Sequence, residues 1–174
     1  SQTHKSSGKY DWTFRPIHAM LGGIGHALVS AAEEAIFFHS LTRYSQPDFQ
    51  IKGLNPLTEH YSVFGPEVTE GPGQTPIGER NRALIEKLKC FDRIIVAGQA
   101  KSHCVAWTIQ DLLDDPEVSR SGLAERFYLL EDCTSPVVVP GVIDYSEEAE
   151  AAFKRFASAG MRIVRSTTPM TLWP

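Results

Sequence analysis

The sequence predicts an α/β fold in which helices cover both faces of a parallel sheet, and three features carry that reading. DRIIVAG (92–98) is a near-continuous apolar run, the pattern of a strand buried on both sides in a parallel sheet. Strand-like and helix-like segments then alternate to the C-terminus, which implies right-handed crossovers between parallel strands. Finally, SEEAEAAFKRFASAG (146–160) is bounded as a helix, with Ser146 as N-cap, acidic residues in its first turn and Gly160 at its end, and it feeds directly into the strand MRIVRS (161–166).

The other elements follow in chain order. WTFRP (12–16) is a short strand running into a turn, and LGGIGHA (21–27) is a turn before a helix. Although glycine-rich, that turn lacks the third glycine and the spacing of a dinucleotide loop. GHALVSAAEEAIFFHSLTRY (25–44) has helical spacing at Leu28, Ala31, Ala32, Ala35 and Phe38, and stops shortly before Pro47. DFQIKG (48–53) reads as a short strand, and EVTEGPGQTPIGERN (67–81) as a loop of glycine, proline and small polar residues. RNRALIEKLKC (80–90) is an amphipathic helix with Leu84, Ile85 and Leu88 on one face. After the strand at 92–98 come a helix at 103–114 and the strand RFYLLED at 126–132.

Bulk properties narrow the function. At 174 residues, 42% hydrophobic and 22% charged, the chain suits one globular domain of ordinary composition. Its net charge of −4 argues against nucleic acid as the main partner, since phosphate binding needs clustered lysine and arginine. No window approaches the roughly 20 apolar residues of a membrane span. The polar start, SQTHKSSGKYDW, lacks the apolar stretch of a secretory signal. Three widely spaced cysteines, Cys90, Cys104 and Cys133, do not form a disulfide framework, so a reducing, cytoplasmic setting is expected.

Chemistry concentrates in VAGQAKSHCVAWTIQDLL (96–113). Sites in open α/β sheets form beyond the carboxyl ends of the strands, and Cys104 lies there, at or near the first turn of the next helix. Unpaired N–H groups and the helix dipole at that position favour a thiolate and can hold an oxyanion. From position alone, Cys104 is either a nucleophile or a small buried hydrophobe. Cys90, at a helix end, and Cys133, after a strand, read as core or subsurface packing. Lys52 also falls at an expected strand end. Taken singly it is a solvated surface charge, and only its pairing with Cys104 suggests more.

Three segments resemble the isochorismatase-like cysteine hydrolases, and within them the nicotinamidase/pyrazinamidase branch. IVAGQAKSHCVAWTIQDLL is similar to the family's nucleophile signature, a Gly-x-Ala-x-x-x-Cys-Val run after an apolar strand. IKGLNPLTEHYSVF (51–64) is similar to the lysine segment, in which Lys-Gly leads to a Glu/Asp-x-Tyr-Ser-x-Phe ending. RPIHAMLGGIGHAL (15–28) is similar to the Pro-x-His segment. The resemblance implies a Rossmann-like parallel sheet, with Cys104 as nucleophile and Lys52 as the lysine of an Asp–Lys–Cys triad. It implies an oxyanion hole made by the N–H groups of Ala100 and Cys104, and a cis peptide at Gln99–Ala100. The chemistry implied is thioester formation on Cys104 with loss of the amine, then hydrolysis, on a small amide such as nicotinamide. Other amidases of the superfamily, carbamoyl or ureido hydrolases, are the alternative; vinyl ether cleavage does not need the thiol. No cofactor is needed for the cysteine chemistry. The family's metal site, where present, uses aspartate and histidine upstream of the Pro-x-His segment, so any metal is expected from such a segment and no metal ligand from this chain.

The resemblance breaks at the family's aspartate, which ends its first strand well upstream of the Pro-x-His segment. Asp11 lies upstream, but it begins the expected second strand and is not assigned that role. In a sheet of order 3-2-1-4-5-6 the first strand is central, and without it the sheet would split and expose two apolar edges. The chain is therefore expected to be the C-terminal portion of a longer polypeptide, with a companion segment supplying the first strand and the aspartate. A binding module without turnover is the reading from another class, and the missing aspartate is its support. As an enzyme, the chain is expected to be a homo-oligomer acting on a small-molecule amide, with no nucleic-acid or membrane partner.

The remaining candidates have lesser roles. His103 adjoins the nucleophile but points elsewhere, so it orders the loop or faces substrate or solvent. His18 and Phe64 are expected to shape the substrate pocket together with His103. Tyr61 and Ser62 order the lysine loop, Trp107 is core, and Asp132 at a strand end orders neighbouring loops. The 65–81 loop is expected to cover part of the site.

Overall fold

The computed structural model describes residues 19–174, which fall into two compact units divided between Ile51 and Lys52. The strand expected at 12–16, Asp11 and His18 lie outside the described residues.

In the first unit the described chain makes tight turns through residues 21–27 and then forms α1 (Ser30–Arg43). The helix starts five residues later than the apolar spacing suggests. It ends at Tyr44, which takes a left-handed conformation (φ 50°) while its N–H bonds back to the Ser40 carbonyl. None of the α1 residues is buried, and Phe37, Phe38 and Leu41 of its apolar side are exposed. DFQIKG forms no strand. An extended segment needs a neighbouring ladder to satisfy its backbone, and no described strand pairs with this one.

The second unit holds the sheet. Its elements are α2 (Arg82–Leu88), β1 (Ile94–Val96), a π-helical turn (Lys101–Val105), α3 (Ala106–Leu113), α4 (Pro116–Ser121), β2 (Phe127–Leu130), β3 (Val138–Val139), β4 (Ile143–Asp144), α5 (Ser146–Ser158) and β5 (Arg162–Val164). The main sheet is parallel with order β1-β2-β5, in register Ile94 with Phe127 and Tyr128 with Arg162. A small antiparallel hairpin pairs β3 with β4. Helices flank the sheet, as the alternating sequence pattern predicts. Among the described strands β1 stands at one edge of the sheet, and Ile95 at its middle is 43% exposed.

The core joins β2 to the helices. Phe127 and Leu129 of β2 pack with Ile109 of α3, Val118 of α4, and Phe153 and Phe156 of α5. On α5 the buried residues Ala149, Ala152, Phe153 and Phe156 recur at three- and four-residue steps, the stripe that sets one helical face against a core. The start of α5 differs from expectation, and α4 is a helix that the sequence reading did not include. Ser146 is the first residue of α5 rather than its cap; Tyr145 occupies the N-cap position, and the side chain of Asp144 before it accepts the Ser146 N–H at 2.8 Å. α4 begins with Pro116 after Asp115, whose carboxylate accepts the Glu117 N–H at 2.9 Å.

Asp115 is fully buried, and Arg82 of α2 bonds to its other oxygen at 2.5 Å, which ties α2 to α4. Burial pushes this carboxyl up. The Glu117 N–H, the Arg82 charge, the Val118 N–H and the Arg80 charge together outweigh burial and hold it below the usual carboxylate range. No helix among the described residues is long and apolar enough to cross a membrane.

Asp115→Ala is expected to cost about 2 kcal/mol in chemical denaturation, through loss of the cap and of the Arg82 pair. Because the folded carboxyl is depressed, the ionised pair stabilises the fold above the ordinary carboxylate range and loses that contribution as pH falls through the depressed value. The stability gap between wild type and Asp115→Asn should therefore narrow with acid. A gap unchanged by pH would contradict the assignment.

Candidate active site

The site begins where β1 ends. Gly98 follows the strand with φ at +115°, a conformation that side-chain-bearing residues rarely adopt, and its N–H bonds to the Cys133 carbonyl at 2.9 Å. The Gln99–Ala100 peptide is cis. The Ala100 carbonyl then accepts two N–H groups, from His103 at 3.0 Å and from Val105 at 3.1 Å. Bonding five residues ahead widens the backbone into the π-helical turn, so Cys104 lies in that turn and α3 starts two residues beyond it. The sequence had placed Cys104 within the helix, and the shared acceptor at Ala100 accounts for the difference. The N–H groups of Ala100 and Cys104, expected to hold an oxyanion, belong to this same stretch.

Lys52 reaches the thiol from a separate part of the chain. Its Nζ donates to the His60 carbonyl at 2.7 Å, to the Tyr61 carbonyl at 2.8 Å and to Cys104 Sγ at 3.1 Å. An ammonium has three N–H donors, and these three acceptors use them all. Gly53 follows with φ at +76°, which turns the chain sharply after the lysine.

The two carbonyls sit on a firmly held segment. Phe64 anchors it in the core, Val63 N–H bonds to Thr108 of α3 at 3.2 Å, and buried Ser62 accepts the Phe64 N–H at 3.0 Å. Burial, and then the charge of Lys52, hold the His60 imidazole below its usual range against the opposing pull of Glu59, so it is uncharged at neutral pH.

Two of the residues expected to shape the pocket are buried. Phe64 is 2% exposed and packs in the core cluster, while His103 is 1% exposed and sits between the rings of Tyr61 and Tyr145. Phe64 follows Ser62, whose hydroxyl accepts its N–H, and His103 lies in the wide turn with its ring against Tyr61 and Tyr145. Of the other cysteines, Cys133 is half-buried, whereas Cys90 is exposed rather than packed. α2 ends at Leu88, two residues before Cys90, whose Sγ lies 3.6 Å from the Glu86 carbonyl.

The 65–81 loop folds onto the lysine segment. Asn55 donates to the Ile77 carbonyl at 2.6 Å, and Glu67 N–H bonds to the Glu59 carbonyl at 2.8 Å. Asp132 accepts from the N–H and hydroxyl of Ser166, and those bonds hold it below the usual carboxylate range.

Sequence reasoning missed how residues 101–103 hold the turn. Lys101 is buried with its ammonium paired to Glu150 and 4.5 Å from the centre of the Phe153 ring, both on α5. Ser102 is fully buried, accepts the Val137 N–H at 3.0 Å and lies 2.8 Å from His103 Nδ1. A polar tripeptide before a helix reads as an exposed loop, and nothing local signals that all three side chains turn inward. Among the described residues, no Asp or Glu hydrogen-bonds to Lys52 or Cys104, and no three His, Cys, Asp or Glu side chains gather as metal ligands would.

The chain was compared with known proteins. No family model matches it, and no curated protein matches it. Among solved structures, the pyrazinamidase of Pyrococcus horikoshii, crystallised in complex with zinc, is similar at 22% identity with a TM-score of 0.49, over 86% of this chain and 62% of that one. A nicotinamidase/pyrazinamidase of Acinetobacter baumanii is similar at 23% identity with a TM-score of 0.38, over 63% of this chain and 43% of that one. The chain thus spans less than two thirds of the length of either.

If the Lys52 ammonium balances charge on Cys104, Lys52→Met should slow alkylation of Cys104 by iodoacetamide about tenfold. Exposed Cys90 serves as the internal reference in peptide mass mapping. Equal slowing of both thiols, or of neither, would remove Lys52 from the role.

Proposed function

We propose that this chain is a cysteine amidohydrolase of the nicotinamidase type, cleaving the C–N bond of a small amide. The observation that carries the reading is the three-way grip on Lys52, which holds a cation against the sulfur at the carboxyl end of a sheet strand. The resemblance of the lysine and cysteine segments to that family supports it.

In this mechanism the Cys104 thiolate attacks the amide carbonyl carbon, and a C–S bond forms as the carbonyl oxygen takes up negative charge. The N–H groups of Ala100 and Cys104 stabilise that oxyanion. The tetrahedral adduct collapses with cleavage of the C–N bond, and the departing nitrogen takes the proton that Cys104 gave to its acceptor, leaving as ammonia. Water then attacks the thioester, releasing the acid and restoring the thiol. Lys52 contributes charge at the sulfur rather than proton transfer, because its donors are already committed. Lys52 is exposed. Unit charges 4 Å apart interact by about 1 kcal/mol in water but by about 4 kcal/mol at an effective dielectric of 20, so the effect grows when substrate displaces water.

The proton acceptor for Cys104 and the strand beside β1 belong, in this reading, to a companion segment. Two observations support that: the outer edge of β1 has no partner among the described residues, and Ile95 there is exposed. That no carboxylate among the described residues bonds to the pair favours one competing reading, a binding module without turnover.

Ammonia release from nicotinamide, together with a nicotinoyl adduct on Cys104 in acid-quenched protein, tests the proposal. Cys104→Ala should lower the rate about a thousandfold or more and abolish the adduct. A denaturing mass spectrum of the same preparation reports whether a companion polypeptide is present. Turnover confined to carbamoyl or ureido substrates would move the assignment to another amidase. No turnover of any of these, with Cys104 alkylated as slowly as Cys133, would favour the binding module.

A further inference from the structure

His103 is the buried titratable group nearest the thiol that the mechanism above does not use. Its ring meets Tyr61 edge-on at 5.8 Å between centres and Tyr145 edge-on at 4.7 Å. Each neighbour has a separate job. Tyr61 presents one of the two carbonyls that grip Lys52, and Tyr145 caps α5, with its N–H on the Val137 carbonyl at 3.1 Å. On the near side, Nδ1 of His103 lies 2.8 Å from the Ser102 hydroxyl, which also accepts the Val137 N–H. The histidine preceding Cys104 therefore touches the lysine segment, the start of α5 and the 134–145 stretch together.

We infer that His103 is a positioning residue whose ring, wedged between Tyr61 and Tyr145, sets the separation between Lys52 Nζ and Cys104 Sγ. The two reactive groups arrive from segments 52 positions apart, with only the 3.1 Å contact joining them directly. A contact at the surface is weak by itself and readily displaced by water. Fixing it requires a rigid link between the turn that carries sulfur and the segment that carries the carbonyls. The Tyr61–His103 contact is such a link, and Tyr145 backs it from the other side. Edge-to-face rings are directional as well as apolar, so the stack fixes an angle and not only a distance. This inference rests on the Lys52–Cys104 pair being the functional site, but not on which amide is cleaved.

The test reads the thiol directly. In full-length protein, the iodoacetamide rate at Cys104 relative to Cys90 is measured for wild type, His103→Ala, His103→Phe and Tyr145→Leu, with thermal melts alongside. A misplacement of about 1 Å at a reactive centre costs up to about a hundredfold, so His103→Ala should slow Cys104 at least about tenfold with Cys90 unchanged. His103→Phe keeps an aromatic ring between the tyrosines and should restore most of the rate. Where turnover is measurable, His103→Ala should lower kcat with KM little changed. If His103→Ala does not fold, Tyr145→Leu decides, because it removes only the backing ring and should give an intermediate slowing. A folded His103→Ala or Tyr145→Leu protein whose Cys104 reacts at the wild-type rate overturns the inference, as does a His103→Phe protein no faster than His103→Ala. Failure of wild type to hydrolyse any amide overturns the proposed activity and leaves this comparison intact.

Discussion

The candidate site depends on one ammonium whose three donors are all spent. Lys52 is exposed, and a free lysine side chain there would sample many rotamers and offer little constant charge to a neighbour. Two carbonyls from adjacent residues, His60 and Tyr61, remove that freedom and leave one N–H for sulfur. Everything that fixes those carbonyls therefore bears on the thiol: Phe64 in the core, the Val63–Thr108 bond to α3, and the loop that folds back on the segment through Asn55 and Glu67.

Sulfur is held as firmly from its own side. The sheet supplies a strand end, Gly98 supplies a backbone conformation closed to other residues, and the shared acceptor at Ala100 widens the turn. Lys101, Ser102 and His103 then anchor the turn to different neighbours and leave Cys104 half-buried. The proposed role as nucleophile calls for this combination, because the backbone must not move while the side chain must still meet a substrate.

Parallel order in the sheet carries the same logic to the fold. β2 is central among the described strands and its residues Phe127 and Leu129 are core, whereas β1, which leads to the site, lies at the edge with Ile95 exposed. The part of the molecule that does the packing and the part that presents the chemistry are thus adjacent strands of one sheet. A companion strand along β1, as proposed, would bury Ile95 and bring its own carboxyl end to the same rim.

What the sequence by itself determined is local in origin. Apolar runs at 92–98, 126–132 and 161–166 marked the three parallel strands, and the spacing in 146–160 marked α5, because burial periodicity is written in consecutive residues. Lys52 and Cys104 were legible through the motifs around them. Only the tertiary structure decided the rest. It turned Phe64 and His103 inward, left DFQIKG without a ladder, and buried a polar tripeptide whose partners include Glu150 and Phe153 of α5, Val137 and Tyr61. Each of these outcomes depends on groups far apart along the chain, and a hydrogen bond or an aromatic contact between such groups has no period for a sequence to show.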